Sequence, residues 1–401
     1  MAAPSPAALN GLDARGAVRF VILLGLVSLF ADMTYESARS LAGPFLALLG
    51  ASATAVGMAA GFGEFIGYAL RFVSGQLADR THRYWLLTIL GYFINLLAVP
   101  ALTFAGNWQI AVGLLLLERT GKALRNPPRD AMLSFAGKKM GQGWGFALHE
   151  AMDQVGATVG PLLMMLALAL RQDYRQAFAW LAIPAAVALI LLCLAARQYP
   201  HPARLESKTP HFGIEGYPPT FWLYLAAMGM LAAGFADYPL IAFHLGKTSA
   251  FPAQWIPFLY AMAMAIDALS ALLFGYWYDR LGMKVLAGGI LAALLFSPLV
   301  FLGNPTAAVI GILLWGVSLG VQESVMKALV AAMSPESRRA TAYGVFHLSF
   351  GLFWFLGSAV MGMMYDLSLA LLVAFSMVCQ VASLLLFFLL HSRTRYGLPA
   401  E

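Results

Sequence analysis

The sequence predicts an all-α polytopic membrane protein of about twelve transmembrane helices in two pseudo-symmetric six-helix bundles. Three observations carry that prediction. The chain is 61% hydrophobic and only 11% charged, with a mean hydropathy of +0.75, whereas soluble domains carry roughly 25% charged residues. A polar signature, Gly75-Gln76-Leu77-Ala78-Asp79-Arg80, recurs as Gly275-Tyr276-Trp277-Tyr278-Asp279-Arg280. Basic residues also segregate. With the N-terminus inside, one side carries Arg15, Arg19, Arg80, Arg83, Arg125, Arg129, Lys138, Lys139, Arg197, Arg204, Lys208, Arg280, Lys284, Arg338, Arg339, Arg393 and Arg395, and the other only Arg171, Arg175 and Lys247. Seventeen against three is a positive-inside bias that places both termini in the cytoplasm of a multi-pass cell-membrane protein. The net charge of +6 therefore reports topology and not a nucleic-acid partner.

In chain order, residues 1–16 read as a cytoplasmic tail and 17–197 as the first six-helix bundle. Residues 198–219 carry Pro, Lys and Glu without apolar period and read as a cytoplasmic linker. Residues 220–392 are the second bundle and 393–401 a second cytoplasmic tail. The apolar runs 85–105, 178–196 and 369–390 are each near the roughly 20 residues that span a bilayer. The run at 21–30 continues past Asp32 without a small-residue cleavage site, so a retained first helix is expected rather than a signal peptide. Each copy of the polar signature closes an apolar stretch, and Arg83 and Lys284 lead into the next. Cys193 and Cys379 sit in apolar runs and imply neither a disulfide framework nor a metal cluster.

The duplication runs the length of the chain. Phe30-Ala31-Asp32 returns as Phe235-Ala236-Asp237, and Glu118-x-x-x-Lys122-Ala123-Leu124 as Glu323-x-x-x-Lys327-Ala328-Leu329, both at an offset of 205. Gly143 and Gly156 match Gly344 and Gly357 at an offset of 201. Two parallel halves related by an axis along the membrane normal are implied, with a substrate path between them.

These features resemble the major facilitator superfamily over essentially the whole chain. The Gly-x-x-x-Asp-Arg hinge is similar to that family's loop motif between helices two and three, matching at Gly75, Asp79, Arg80 and Arg83 and again at Gly275, Asp279, Arg280 and Lys284. The resemblance implies that Asp79 and Asp279 help latch the cytoplasmic side during alternating access. On the fifth helix, Gly156-x-x-x-Gly160-Pro161 resembles the core of the family's antiporter motif, with Ala147 where an upstream glycine is expected.

Nine acidic residues fall within expected spans, Asp32, Glu36, Glu64, Glu118, Glu150, Asp153, Asp237, Asp267 and Glu323, against five basic ones, Arg39, Arg71, Arg119, Lys122 and Lys327. A charge at the centre of a membrane helix costs roughly 2.5–3.5 kcal/mol on insertion scales, so such residues pair or line a polar path. Asp32 and Glu36 share a face, with Arg39 placed to neutralise Glu36. Asp237 precedes Pro239, which removes a backbone donor and predicts a broken helix there. Glu118/Lys122 and Glu323/Lys327 have the spacing of internal ion pairs, which either only admit charge to the membrane or open and close as protons move. Arg119, adjacent to Glu118, is expected to face elsewhere. Glu64 and Arg71, seven apart, are read as a further internal pair. His149, Glu150 and Asp153 cluster on the fifth helix as a proton or substrate group. The segment Arg125-Asn126-Pro127-Pro128-Arg129-Asp130 reads as a rigid cytoplasmic turn whose arginines contact Asp79.

The acidic surplus, the antiporter-like motif and the greasy interior point to a proton-coupled secondary transporter that exports a small organic, amphipathic or cationic, compound. One alternative is a divalent-metal exporter using Asp32, Asp237 and His244, and another an organic-anion uptake permease. Metal-protease motifs, a nucleophile elbow and a phosphate loop are missing from the sequence, so neither an enzyme nor a cofactor is expected. The expected partners are a small-molecule substrate, protons or another coupling ion, and the bilayer, with the protein a monomer.

Overall fold

The computed structural model describes residues 14–140, 142–171, 173–200, 217–334 and 339–397. Among them every element is a helix: α1 (Ala14–Leu48), α2 (Ala53–Thr81), α3 (Tyr84–Ala101), α4 (Trp108–Met140), α5 (Gln142–Arg171), α6 (Tyr174–Trp180), α7 (Ala182–Gln198), α8 (Pro219–Ala233), α9 (Tyr238–Thr248), α10 (Trp255–Leu281), α11 (Val285–Phe301), α12 (Pro305–Met333), α13 (Arg339–Leu367) and α14 (Leu369–Gly397). In hydrocarbon each backbone donor and acceptor must be satisfied internally, and a helix does this within one segment. Ten helical stretches are long and apolar enough to cross a membrane. The 47-residue stretch Trp255–Phe301 holds both α10 and α11 and is long enough for two crossings. Adding α4, which is 33 residues long but charge-rich, accounts for twelve crossings. The linker residues 201–216 and the tail residues 1–13 and 398–401 lie outside the described residues.

Two compact units form, one from Met1–Leu41 with Ile66–Lys208 and the other from Ala42–Phe65 with Thr209–Glu401. The boundary passes through α1 and α2. In the first unit Phe20, Leu24, Val27, Tyr92, Leu96, Leu133 and Leu192 form a core, closed at one end by Trp85, whose Nε1 donates to the Tyr199 carbonyl at 2.7 Å. In the second unit the Phe235, Trp315 and Trp354 rings pack at centroid distances of 5.4–5.7 Å, and Tyr238 and Tyr260 meet at 4.3 Å. Asp366 caps the start of α2, accepting from the Thr54 amide at 2.9 Å and its hydroxyl at 2.7 Å.

The two copies of the polar signature end their helices alike. α2 runs through Gly75, Asp79 and Arg80 to Thr81, and the chain turns at His82, with φ 55°. α10 runs through Gly275, Asp279 and Arg280 to Leu281 and turns at Gly282, with φ 63°. Arg80, Arg83, Asp279 and Arg280 are exposed, and the Arg280 guanidinium lies 4.3 Å over the Tyr276 ring. The Asp79 side chain is outside the described residues.

One expected turn is a helix. Residues 125–130 lie inside α4, with Arg125 and Arg129 buried. Pro128 removes the amide that would bond the Leu124 carbonyl, and the Ser74 hydroxyl donates to that carbonyl instead, at 2.6 Å. The break expected near Pro239 is present: α8 ends at Ala233 and α9 begins after Asp237. Neighbouring side chains take up the freed carbonyls. Ser376 Oγ donates to Gly234 O at 2.7 Å, Gln380 Nε2 to Leu231 O at 3.0 Å and Trp315 Nε1 to Ala236 O at 2.9 Å.

Candidate functional site

Three helices of the first unit bring charge together in its interior. On α1, Ser28, Asp32 and Glu36 recur every four residues and share one face. α5 presses against that face through glycine. A Cβ on Gly156 would strike the Leu29 carbonyl and meet Asp32 Cβ at 3.0 Å, and one on Gly160 would meet Met33 Cα and Ser37 Oγ at 2.7 Å. α3 and α4 cross as closely, since a Cβ on Gly91 would lie 2.7 Å from the Arg125 backbone nitrogen. Small residues at both crossings let the backbones approach, which drives the α4 side chains Lys122, Arg125 and Arg129 toward α1 and α5.

Each of these three cations meets a carboxylate from another helix. Lys122 Nζ lies 3.6 Å from Glu36 Oε1 and 3.8 Å over the Tyr35 ring. Arg125 is 1% exposed; its Nη2 stands 4.0 Å from Asp32 Oδ1, and its plane lies over the Tyr92 ring at 4.1 Å and the Tyr35 ring at 5.6 Å. Arg129 Nη1 donates to Ser28 Oγ at 2.8 Å and stands 3.9 Å from Asp153 Oδ2, while its Nη2 donates to Asp130 Oδ1 at 2.8 Å. His149 closes the group, with Nδ1 3.4 Å from Asp153 Oδ2 and Nε2 3.0 Å from Ser28 Oγ.

These separations decide what the network can do. A charge-assisted hydrogen bond closes to about 2.7–2.9 Å. The Asp32/Arg125 and Asp153/Arg129 pairs are about an ångström longer. Asp32 Oδ1 and Asp153 Oδ1 are buried with no hydrogen-bond partner, as are Arg125 Nε and Nη1. Leaving a charged group so short of partners is costly in low dielectric. Both carboxylates are thus attracted to a guanidinium but not locked to it, an arrangement that protonation can open.

Several expected pairings are rearranged. Glu118 accepts from Asn95 Nδ2 at 2.8 Å and lies 3.4 Å from Arg119 Nε, so the Lys122 expected beside it serves Glu36. Arg119 thus turns to its neighbour Glu118 and not away from it. Arg71 lies over the Tyr68 ring at 5.6 Å. Glu150 is exposed, on the same helix as the His149/Asp153 pair. In the second unit, Asp237 caps α9 by accepting from the Tyr238 amide at 2.8 Å. His244 Nδ1 meets the Tyr365 hydroxyl at 3.0 Å. Glu323 is exposed on α12, and the Lys327 side chain is outside the described residues. Among the described residues no three His, Cys, Asp or Glu side chains group as a metal site would need. Sequence reasoning did not single out Ser28, Tyr35 or Tyr92 for this candidate site, and it read Arg125 and Arg129 first as turn residues, with phosphate binding as the lesser reading. The signal for the arginines was their spacing from Lys122, three and seven residues along one helical face.

The family model for the Major Facilitator Superfamily matches residues 24–358 and, overlapping them, 238–400. An uncharacterized protein of Mycobacterium tuberculosis is 41% identical over 382 residues, covering 94% of this chain and 93% of that one. An uncharacterized MFS-type transporter of Methanocaldococcus jannaschii is 26% identical over 392 residues, covering 95% of this chain and 97% of that one. Among solved structures, a POT family transporter in complex with 5-aminolevulinic acid is similar in fold, with a TM-score of 0.77 at 12% identity, covering 97% of this chain and 99% of that one.

Proposed function

The chain belongs to the Major Facilitator Superfamily and is a secondary transporter, and from that premise we propose that it couples movement of a small organic compound to protons through the network of α1, α4 and α5. The observation that carries this reading is the pair of buried carboxylates, Asp32 and Asp153, each near 4 Å from an arginine and each with one oxygen unbonded. A proton taken up by either carboxylate cancels its attraction for the guanidinium and frees α1 or α5 from α4. Loss of the proton restores the pull. That is a two-state element biased by one proton, as alternating access requires. Compound and proton travel in opposite directions when the cargo competes with the proton for the carboxylates, the exchange that the Gly156, Gly160 and Pro161 motif implies by resemblance. They travel together when the cargo needs the carboxylates neutral.

Proteoliposomes loaded with a pH-sensitive dye, challenged in turn with small carboxylates, phosphate monoesters, amines and neutral aromatic compounds, test the coupling. At least one compound should drive proton flux in the wild type. Asp32→Asn and Asp153→Asn should each abolish it while the protein still elutes as a single folded species. Undiminished flux in both variants would refute the proposal.

A further inference from the structure

We infer that Arg125, with Lys122 beside it, is the docking point for an oxyanion of the cargo, and that the transported compound is an organic carboxylate or phosphate monoester. This deepens the reading above by naming the cargo class for the same network. Arg125 is the observation. Its guanidinium is almost completely buried, its central carbon lies over the Tyr92 ring at 4.1 Å and the Tyr35 ring at 5.6 Å, and its Nε and Nη1 have no hydrogen-bond partner. Contact with the rings does not satisfy these N–H groups, and guanidinium N–H groups are what recognise carboxylate and phosphate oxygens. The nearest carboxylate, on Asp32, stands 4.0 Å from Nη2. Lys122 Nζ lies over the same Tyr35 ring at 3.8 Å, so a second cation borders the place where an oxyanion would sit.

A cationic cargo fits this network less well. Its motive is the surplus of acids, yet Asp32, Glu36 and Asp153 each already have a cation within 4.0 Å, even though Asp32 Oδ1 and Asp153 Oδ1 make no hydrogen bond, and Arg125 keeps Nε and Nη1 without an acceptor. An entering oxyanion meets those donors once Asp32 has been neutralised by a proton, and the two then move together, as a neutral pair when the oxyanion is a monocarboxylate and with net negative charge when it is a phosphate dianion.

The test measures thermal unfolding of the purified full-length protein in detergent with three matched series: benzoate, hexanoate and phenyl phosphate; the neutral benzamide, hexanamide and phenol; and benzylamine and hexylamine. At least one oxyanion should raise Tm saturably by about 2 °C or more, and its neutral counterpart should not. Arg125→Gln should abolish the shift, and Arg125→Lys, which keeps the charge but loses the fork, should keep part of it. Should Arg125→Gln not fold, Arg125→Lys and Lys122→Gln decide: a weakened shift in both supports the subsite, and an unchanged shift in both overturns it. Stabilisation by the amines alone, or by no oxyanion, also overturns it. Dye-loaded proteoliposomes separate this inference from the coupling. An oxyanion that binds through Arg125 but moves no protons leaves the subsite standing and removes proton coupling. Proton flux driven only by amines keeps the coupling and removes the subsite.

Discussion

At the residue scale, Arg129 is the most heavily partnered cation of the network, joined to Ser28, Asp130 and Asp153. Removing one side of a buried pair strands the other, at a cost of about 3–5 kcal/mol. Arg129→Gln should therefore lower the detergent Tm by several degrees, because Asp153 loses its guanidinium and Ser28 its donor. A double variant that also carries Asp153→Asn should recover part of the loss, since the stranded charge is gone. A double variant that loses as much as the Arg129→Gln and Asp153→Asn single variants added together would show that Arg129 and Asp153 act independently. The sequence showed the acids here and hid the arginines. Consecutive prolines beside Arg125 and Arg129 read as a turn, since proline removes helix donors, and nothing local tells that a serine from α2 will answer the exposed Leu124 carbonyl.

At the scale of elements, the closeness of α1 and α5 fixes where Asp32 and Asp153 sit, and it rests on glycine. A Cβ on Gly156 meets backbone, not a movable side chain, so Gly156→Ala must push the helices apart. Overpacking of this kind costs about 1–3 kcal/mol. Gly67 on α2 has nothing within 4 Å of its added Cβ, so Gly67→Ala should be neutral or gain about 0.5–1 kcal/mol from helix propensity. Thermal unfolding of the two variants side by side checks this, and a Gly156→Ala protein as stable as wild type would disprove the seam. The elements themselves were legible in large part. Apolar length gave the crossings, and Pro239 gave the α8/α9 break. The duplicated Phe-Ala-Asp did not give equivalent backbones: α1 continues through Asp32, and the proline inside that helix is the distant Pro44, whereas Asp237 caps a new helix. Identical triplets thus placed one carboxylate in a charge network and the other on a backbone amide. Pro239, two residues past the second aspartate, makes the difference, because it suits the first turn of a helix and not its interior.

At the scale of the whole molecule, the transfer of Arg125 and Arg129 from a loop into α4 alters the topology argument without reversing it. Fifteen basic residues still fall on the side assigned to the cytoplasm against Arg171, Arg175 and Lys247 on the other. Twelve crossings, being an even number, would put both termini on one face, and the positive-inside rule predicts that this face is the cytoplasmic one. The consequence can be measured at two points. Green fluorescent protein fused after Glu401 should fluoresce, since it matures in the cytoplasm, while alkaline phosphatase at the same point should be inactive. A single cysteine at Gly106, in the turn between α3 and α4, should react from outside intact cells with a membrane-impermeant maleimide in a chain whose Cys193 and Cys379 are replaced. A dark fluorescent fusion with active phosphatase would invert the orientation. Under the proposed coupling it would also reverse the sense of proton movement, because the side to which Asp32 and Asp153 would release protons depends on which face is the cytoplasmic one.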